Sequence, residues 1–216
     1  MKAVIFDMDG TMVDNMMVHH RAWQQSLRKL GLDLSLEEVR QQIHGVNYEI
    51  LVRLFGDRFS HEERIAIADE KEANYRAIYS DELTPIAGLM NWFKTLHGAN
   101  IPMAVATAAP PENAHFLLDQ LEIRDYFKAI FHAGDVQRGK PDPEIFLKAA
   151  AALDTPPEAC LVFEDSPTGA AASYAAGCRS CIVTTTHAVE EFASYPNVIR
   201  FISDFTSLDL GVLRSL

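Results

Sequence analysis

The residues able to do chemistry in this chain lie in short groups, each following a run of apolar residues. Ala3-Val4-Ile5-Phe6 runs into Asp7-Met8-Asp9-Gly10-Thr11, and Cys160-Leu161-Val162-Phe163 runs into Glu164-Asp165-Ser166. At an extended strand end, carboxylates at i and i+2 project to the same side, where like charge raises the cost of ionising both. A bound cation removes that cost. Hard divalent ions prefer oxygen ligands, and Mg²⁺ takes a few protein oxygens and fills its shell with water and substrate phosphate. Glu164 and Asp165, at a second strand end, can close such a site. Thr107 ends another apolar run ahead of Pro110-Pro111-Glu112, a helix start, so its hydroxyl and the neighbouring N–H groups can hold phosphate oxygens. Lys140 lies just before Asp142-Pro143, which reads as an N-cap followed by proline at the first helical position. Its ammonium can neutralise both a phosphate and a nucleophile. Singly, these are acidic turns, a strand-end cap and a solvated lysine. Four carboxyl groups at two strand ends, with a threonine and a lysine, point to metal-assisted phosphate chemistry.

The elements that must position these groups follow from hydrophobic periodicity. Residues 3–7 read as a strand buried on both faces. Met16, His20, Trp23, Leu27 and Leu30 then recur at helical spacing, with Gly31 able to close the helix. A second helix is expected from Ser35 to about His44. A third is expected over about 60–79, opened by the capping-box pattern Ser60-His61-Glu62-Glu63. From Pro85 the rhythm changes to helix (88–96), strand (102–107), helix (112–121), strand (129–132), helix (143–153), strand (160–164), helix (167–176) and strand (180–183). Such alternation builds a parallel sheet with helices on its faces, and ligands bind at the carboxyl ends of its strands. The fold expected is therefore α/β, with residues 1–14 and 82–216 forming one domain around a helical insertion at 15–81.

Composition restricts the partners. The chain has 216 residues, 48% hydrophobic and 23% charged, with a net charge of −11. An acidic balance disfavours nucleic acid and anionic lipid, leaving a small ligand as the expected partner. The insertion carries 9 basic and 11 acidic residues, so most of the negative charge belongs to the α/β part. No apolar run approaches the roughly 20 residues of a spanning helix, and Asp7 interrupts the first before a secretory core can form. A cytoplasmic location without a leader is expected. Cys160, Cys178 and Cys181 are expected as free thiols, and Cys178-Arg179-Ser180-Cys181 as a turn entering a strand rather than half of a zinc site.

Asp7-Met8-Asp9-Gly10-Thr11, Thr107, Lys140 and Glu164-Asp165, in that order, resemble the four motifs of the haloacid dehalogenase superfamily. The helical insertion after the first motif is similar to the cap of the subfamily of β-phosphoglucomutase and small sugar-phosphate phosphatases. The resemblance implies a Rossmann-like core with an α-helical cap closing over the site. It implies Asp7 as the nucleophile that takes phosphate, and Asp9 as the acid and base for the leaving oxygen and incoming water. Mg²⁺ would be held by Asp7, the Asp9 carbonyl, Asp165 and Glu164, the last directly or through water. Thr107, the Ala108 amide and Lys140 would stabilise the phosphate oxygens. Dehalogenases and P-type ATPases of the superfamily lack an acid at the position of Asp9, so neither activity is expected.

The resemblance leaves a choice between phosphatase and mutase. β-Phosphoglucomutases carry an arginine after the Gly-Val-x of the cap, where this chain has Gly45-Val46-Asn47-Tyr48, and Tyr48 lacks the charged fork of arginine. They also carry a serine where Ala109 stands. His19 matches a cap-hinge histidine and Lys71 a substrate-facing cap lysine. The expectation is a Mg²⁺-dependent phosphatase of a small phosphorylated metabolite, acting as a monomer, with Tyr48, Lys71 and His19 at the substrate. A phosphohexomutase is the alternative and a non-catalytic phosphate- or partner-binding protein the remote one.

Overall fold

The computed structural model describes residues 1–211. The chain forms two compact units: Met1–Asp14 with the chain from Thr84 onward, and Asn15–Leu83, which lies between them in sequence. After β1 (Ala3–Phe6) the chain makes four helices, α1 (Met16–Lys29), α2 (Leu36–Gln42), α3 (Asn47–Phe55) and α4 (His61–Tyr79). Then come α5 (Leu89–Gly98), β2 (Met103–Ala106), α6 (Pro111–Gln120), β3 (Ala129–Phe131), α7 (Glu144–Ala152), β4 (Cys160–Glu164), α8 (Pro167–Ala176), β5 (Arg179–Val183) and β6 (Val198–Ile202). Among the described residues no helix is long and apolar enough to cross a membrane.

In the helical unit Trp23, Leu27, Val39, Ile43, Ile50 and Leu51 form the buried cluster. Ser35 and Ser60 each accept from the backbone N–H three residues on, and Glu38 and Glu63 bond back to the cap residues, so both capping boxes form. Helix α3 was not expected from periodicity. It is nine residues long and joins the cluster through Ile50 and Leu51.

In the α/β unit six parallel strands take the order β3-β2-β1-β4-β5-β6. β1, β2 and β4 are buried along their whole length, as strands covered on both faces must be. One face packs small and branched residues such as Ile5, Ala104, Ala106 and Val162 against α7 and α8. The other packs aromatics: Phe6 stacks on Phe163 at 5.0 Å and meets Phe93 edge-on at 5.1 Å. β6 extends the expected sheet by one strand. Its sequence, Val-Ile-Arg-Phe-Ile, follows a Tyr195-Pro196-Asn197 turn and carries Arg200, so its apolar run is broken in the manner of an edge strand. A second correction concerns α7: Pro143 is the cap residue and the helix starts at Glu144, one position later than Asp142-Pro143 suggests. Asp142 still serves the helix end, its Oδ1 accepting from the Glu144 N–H at 3.1 Å. The three cysteines are free and buried, and burial raises the Cys160 thiol to about 11 and those of Cys178 and Cys181 to about 12.

Candidate active site

The strand order reverses between β1 and β4: the chain moves outward from β1 to β3, then returns to β4 on the other side of β1. Loops diverge at such a point and leave a crevice at the carboxyl ends. The register places Phe6 beside Phe163, so Asp7 and Glu164 leave the sheet side by side, and the Asp7 N–H donates to the Phe163 carbonyl at 3.0 Å. Carboxylate oxygens of Asp7, Glu164 and Asp165 lie within 4.8 Å of one another, all buried. Asp9 is partly buried, and its backbone bridges to Val13 in the turn that follows β1.

Lys140 enters this cluster from the loop before α7. Its ammonium donates to Asp7 Oδ1 and Glu164 Oε1, both at 2.7 Å. Glu164 Oε2 accepts from the Asp165 N–H and the Ser166 N–H, each at 2.8 Å, and from Ser166 Oγ at 3.0 Å. With four donors the Glu164 carboxylate is near its full capacity. It anchors Lys140 and the start of α8, which suits a cation contact through water better than a direct one. Asp7 Oδ2 is held more lightly, with the Thr11 hydroxyl at 3.5 Å.

The charge in this cluster is unbalanced. Two ionised carboxylates at 4.8 Å, the outer limit of the separations here, repel by about 3.5 kcal/mol at an effective dielectric of about 20, equivalent to about 2.5 pKa units. Burial raises Asp7 to about 7, and the Glu164 and Asp9 charges add to the rise while Lys140 opposes it. Asp165 is raised well above the carboxylate range by burial and by the Glu164 and Asp7 charges. Glu164 is buried too, yet Lys140 and its backbone donors hold it below the ordinary value, and the two carboxylates raise Lys140 in turn. Two carboxyl groups that resist ionisation beside a third that is ionised form an all-oxygen set suited to a hard divalent cation. The residues fit a hard divalent cation.

Thr107 follows β2 and is buried; its Oγ1 accepts from the Ala109 N–H at 3.1 Å, and its own N–H donates to Phe131 at 3.0 Å. The hydroxyl proton remains for an anion, and exposed Ala108 lies beside it ahead of α6. Thus Asp7, Lys140, Glu164 and Asp165 form one bonded group, with Asp9 in the turn after β1 and Thr107 and Ala108 at the end of β2.

The expected residues of the helical unit divide. His19 and Lys71 meet: Lys71 Nζ lies 3.1 Å from His19 Nδ1 and donates to Glu72 Oε1 at 2.7 Å. Asn47 Nδ2 donates to the same oxygen at 2.6 Å. Lys71 is no solvated helix charge, being 2% exposed, with its ammonium over the Trp23 ring. The His19 ring stacks on Tyr75 at 3.9 Å, and burial, with the Lys71 charge, lowers its pKa to about 3. Tyr48 belongs to a different contact: its hydroxyl lies 3.1 Å from Arg64 Nη1 and 3.2 Å from His61 Nδ1.

Three features of the site escape motif reading. Ser166 caps α8 and binds Glu164 at once. Gly10 has φ +75°, and a Cβ there would fall on the Asp165 carboxylate; a Cβ on Gly169 would fall on that of Glu164. Gly10 thus clears space for an acid distant in sequence, and Gly169 for one a turn of chain before it. Thr186, after β5, donates to Asp165 Oδ2. The hydroxyl-rich run Thr184-Thr185-Thr186 was the available signal.

A family model described as haloacid dehalogenase-like hydrolase matches residues 1–177. Fructose-1-phosphate phosphatase YqaB of Escherichia coli is 33% identical over 174 residues, covering 81% of this chain and 92% of that protein. Beta-phosphoglucomutase of Bacillus subtilis is 32% identical over 186 residues, covering 82% of this chain and 80% of that protein. Among solved structures, a HAD hydrolase of family IA, variant 3, from Entamoeba histolytica superposes with a TM-score of 0.89 at 26% identity, covering 98% of this chain and 96% of its own.

Proposed function

The chain belongs to the haloacid dehalogenase-like hydrolase family, and from that premise we propose that it is a Mg²⁺-dependent phosphatase of small sugar phosphates working through an aspartyl-phosphate on Asp7. The observation that carries this reading is the buried group in which Lys140 holds Asp7 and Glu164 at 2.7 Å with Asp165 alongside. A Mg²⁺ held by Asp7, Asp165 and the Asp9 carbonyl, and through water by Glu164, supplies charge neutralisation to the phosphate when bound.

The protein residues do the rest. Lys140 keeps Asp7 Oδ1 occupied, leaving Oδ2 to attack phosphorus. The new Asp7–phosphorus bond forms as the bond to the sugar oxygen breaks. Asp9 gives that oxygen its proton, then takes one from the water that attacks the acyl phosphate, restoring Asp7 and releasing phosphate. Thr107, the Ala108 N–H and Lys140 hold the phosphate oxygens, since phosphoryl transfer depends chiefly on positioning and charge. In the helical unit the linked His19, Lys71 and Glu72 are assigned to recognition of the sugar.

Water is preferred to a second sugar hydroxyl as acceptor because Tyr48 and Ala109 replace the arginine and serine of the mutase pattern, and the Tyr48 hydroxyl is engaged by Arg64 and His61. Three buried free thiols are in keeping with a reducing cytoplasm. The test is a panel of ketose, hexitol, aldose and aldonate phosphates with Mg²⁺, scoring free phosphate and sugar isomer together. Phosphate in excess of isomer, lost on adding chelator, is expected. Isomer as the main product would overturn the phosphatase reading in favour of mutase.

A further inference from the structure

Three consecutive hydroxyls follow β5, and each is engaged by a different part of the α/β unit. Thr184 reaches the Ile202 carbonyl of β6 with its N–H at 2.8 Å and its hydroxyl at 3.2 Å. Thr185 Oγ1 donates to the Gly10 carbonyl at 2.5 Å. Thr186 Oγ1 donates to Asp165 Oδ2, with the Asp165 carbonyl 3.3 Å away. β5 pairs only with β4 and β6, so the Thr185 contact is not sheet pairing: it passes β4 to reach the turn after β1.

These contacts converge on one spot. Gly10 approaches so closely that a Cβ would overlap the Asp165 carboxylate and stand 3.1 Å from Thr186 Cγ2. Gly10, Asp165 and Thr186 are therefore in mutual contact, and Thr185 fixes the first of them through its carbonyl. The Asp7–Asp9 turn and Asp165 come from strands joined by no short connection. Their relative position sets the geometry of the carboxylate cluster, and the loop after β5 ties both down. A hydroxyl donating to one carboxylate oxygen also restricts rotation of that group, which fixes the direction in which its other oxygen faces.

We propose that Thr185 and Thr186 are positioning residues for the divalent cation. Thr186 orients Asp165, and Thr185 holds the Gly10 carbonyl and with it the turn that carries Asp7 and Asp9. The proposal rests on the reading of these carboxylates as cation ligands. It extends that reading to two side chains outside the carboxylate cluster itself.

The test is calorimetric titration of the full-length protein with Mg²⁺ in the absence of substrate. Thr186→Val should weaken Mg²⁺ binding by about 10–100-fold, the usual effect of losing a hydrogen bond to a ligand, while Thr186→Ser should restore it. Thr185→Val should weaken it less, by about 3–10-fold, because Asp165 keeps its donor. Thr184→Val is the control: it makes the same exchange in the same loop and should lower the melting temperature without altering Mg²⁺ affinity. In turnover assays Thr186→Val should raise the Mg²⁺ concentration for half-maximal rate more than it lowers the rate at saturation. Circular dichroism checks folding, and Thr186→Ala stands in if the valine variant does not fold. Wild-type Mg²⁺ affinity in folded Thr186→Val or Thr186→Ala overturns the proposal, as does a serine variant as weak as the valine one. A wild-type protein that binds Mg²⁺ yet releases no phosphate from any ester defeats the phosphatase reading, and the titrations still decide the threonines. A wild-type protein that binds no Mg²⁺ defeats both.

Discussion

Two buried clusters of charge in this chain are built on opposite terms. At the carboxyl ends of β1 and β4, three buried carboxylates gather around Lys140, and Asp7 and Asp165 are driven above their ordinary range. In the helical unit Lys71 is matched by Glu72, which lies below its ordinary pKa, and His19 is held neutral by burial. With all three carboxyls ionised, the first cluster has a surplus of negative charge that Lys140 alone does not cancel. The second has its principal charges cancelled in place. Buried charge left unbalanced is costly, and a fold keeps it where a ligand supplies the missing charge. Burial alone does not mark a reactive site; burial with an unpaid charge does.

The largest effect expected from breaking this contrast is on chemistry. Asp7→Asn should lower phosphate release by at least about 10³-fold, since removing a nucleophile leaves only binding and charge stabilisation. Wild-type turnover in that variant would place the nucleophile elsewhere. Lys140→Met comes next. It removes the cation from between Asp7 and Glu164 and should cost about 3–5 kcal/mol of metal-free stability, the range for breaking a buried pair. Saturating Mg²⁺ should recover a larger part of stability in this variant than in wild type. Equal recovery in the two proteins, read from urea midpoints, would contradict a shared role for lysine and cation.

Glu72→Gln tests the balanced cluster. The amide still accepts from Asn47 and Lys71 but leaves the lysine charge uncancelled, so a loss of about 1–2 kcal/mol is expected, the difference between charged and neutral hydrogen bonds. If this group recognises the sugar, the same change should raise kcat/KM for a phosphorylated sugar acid relative to a neutral hexose phosphate. An unchanged ratio would remove Lys71 from substrate selection.

The most gradual effects, spread over several pH units, are those of pH, and they should run in opposite directions. Asp7, raised from 3.8 to about 7, takes up a proton on folding. Its contribution to metal-free stability is complete below about pH 4 and is lost as pH rises to about 7. His19, lowered from 6.5 to about 3, stays unprotonated where the unfolded chain is charged. Its contribution is complete above about pH 6.5 and is lost as pH falls toward 3. Each slope is at most about 1.4 kcal/mol per pH unit. In urea titrations Asp7→Asn should flatten the first slope and His19→Gln the second; a slope that survives its own substitution belongs to another group.

Much of this molecule is readable one residue at a time. The apolar runs that become β1, β2 and β4 are buried throughout, and the serines at 35 and 60 cap the helices they precede, because burial patterns and caps act over a few residues of chain. Asp7, Thr107, Glu164 and Asp165 stand out by residue type at the ends of those runs, and Lys140 by its place just before a helix start. Short or interrupted elements were not readable: α3 has nine residues, and β6 carries an arginine in its apolar run. A helical lysine looks solvated whether or not another helix covers it, so the burial of Lys71 was invisible as well.

Sequence alone therefore determined the parallel α/β class, the local caps and the identity of the acids and lysine able to act. The tertiary structure decided which of them meet. Lys140 and Asp7 are 133 residues apart, and Thr185 and Gly10 are 175 apart. Their contacts exist because the strand order places β1 beside β4 and β5 beyond it. Glycine at position 10 marks the same limit, for the side chain it makes room for, Asp165, comes from a β-strand end remote in the chain. Local periodicity carries information about which face of an element is buried. The charge balance of a site depends on neighbours brought together by sheet order, and that order is a property of the whole core.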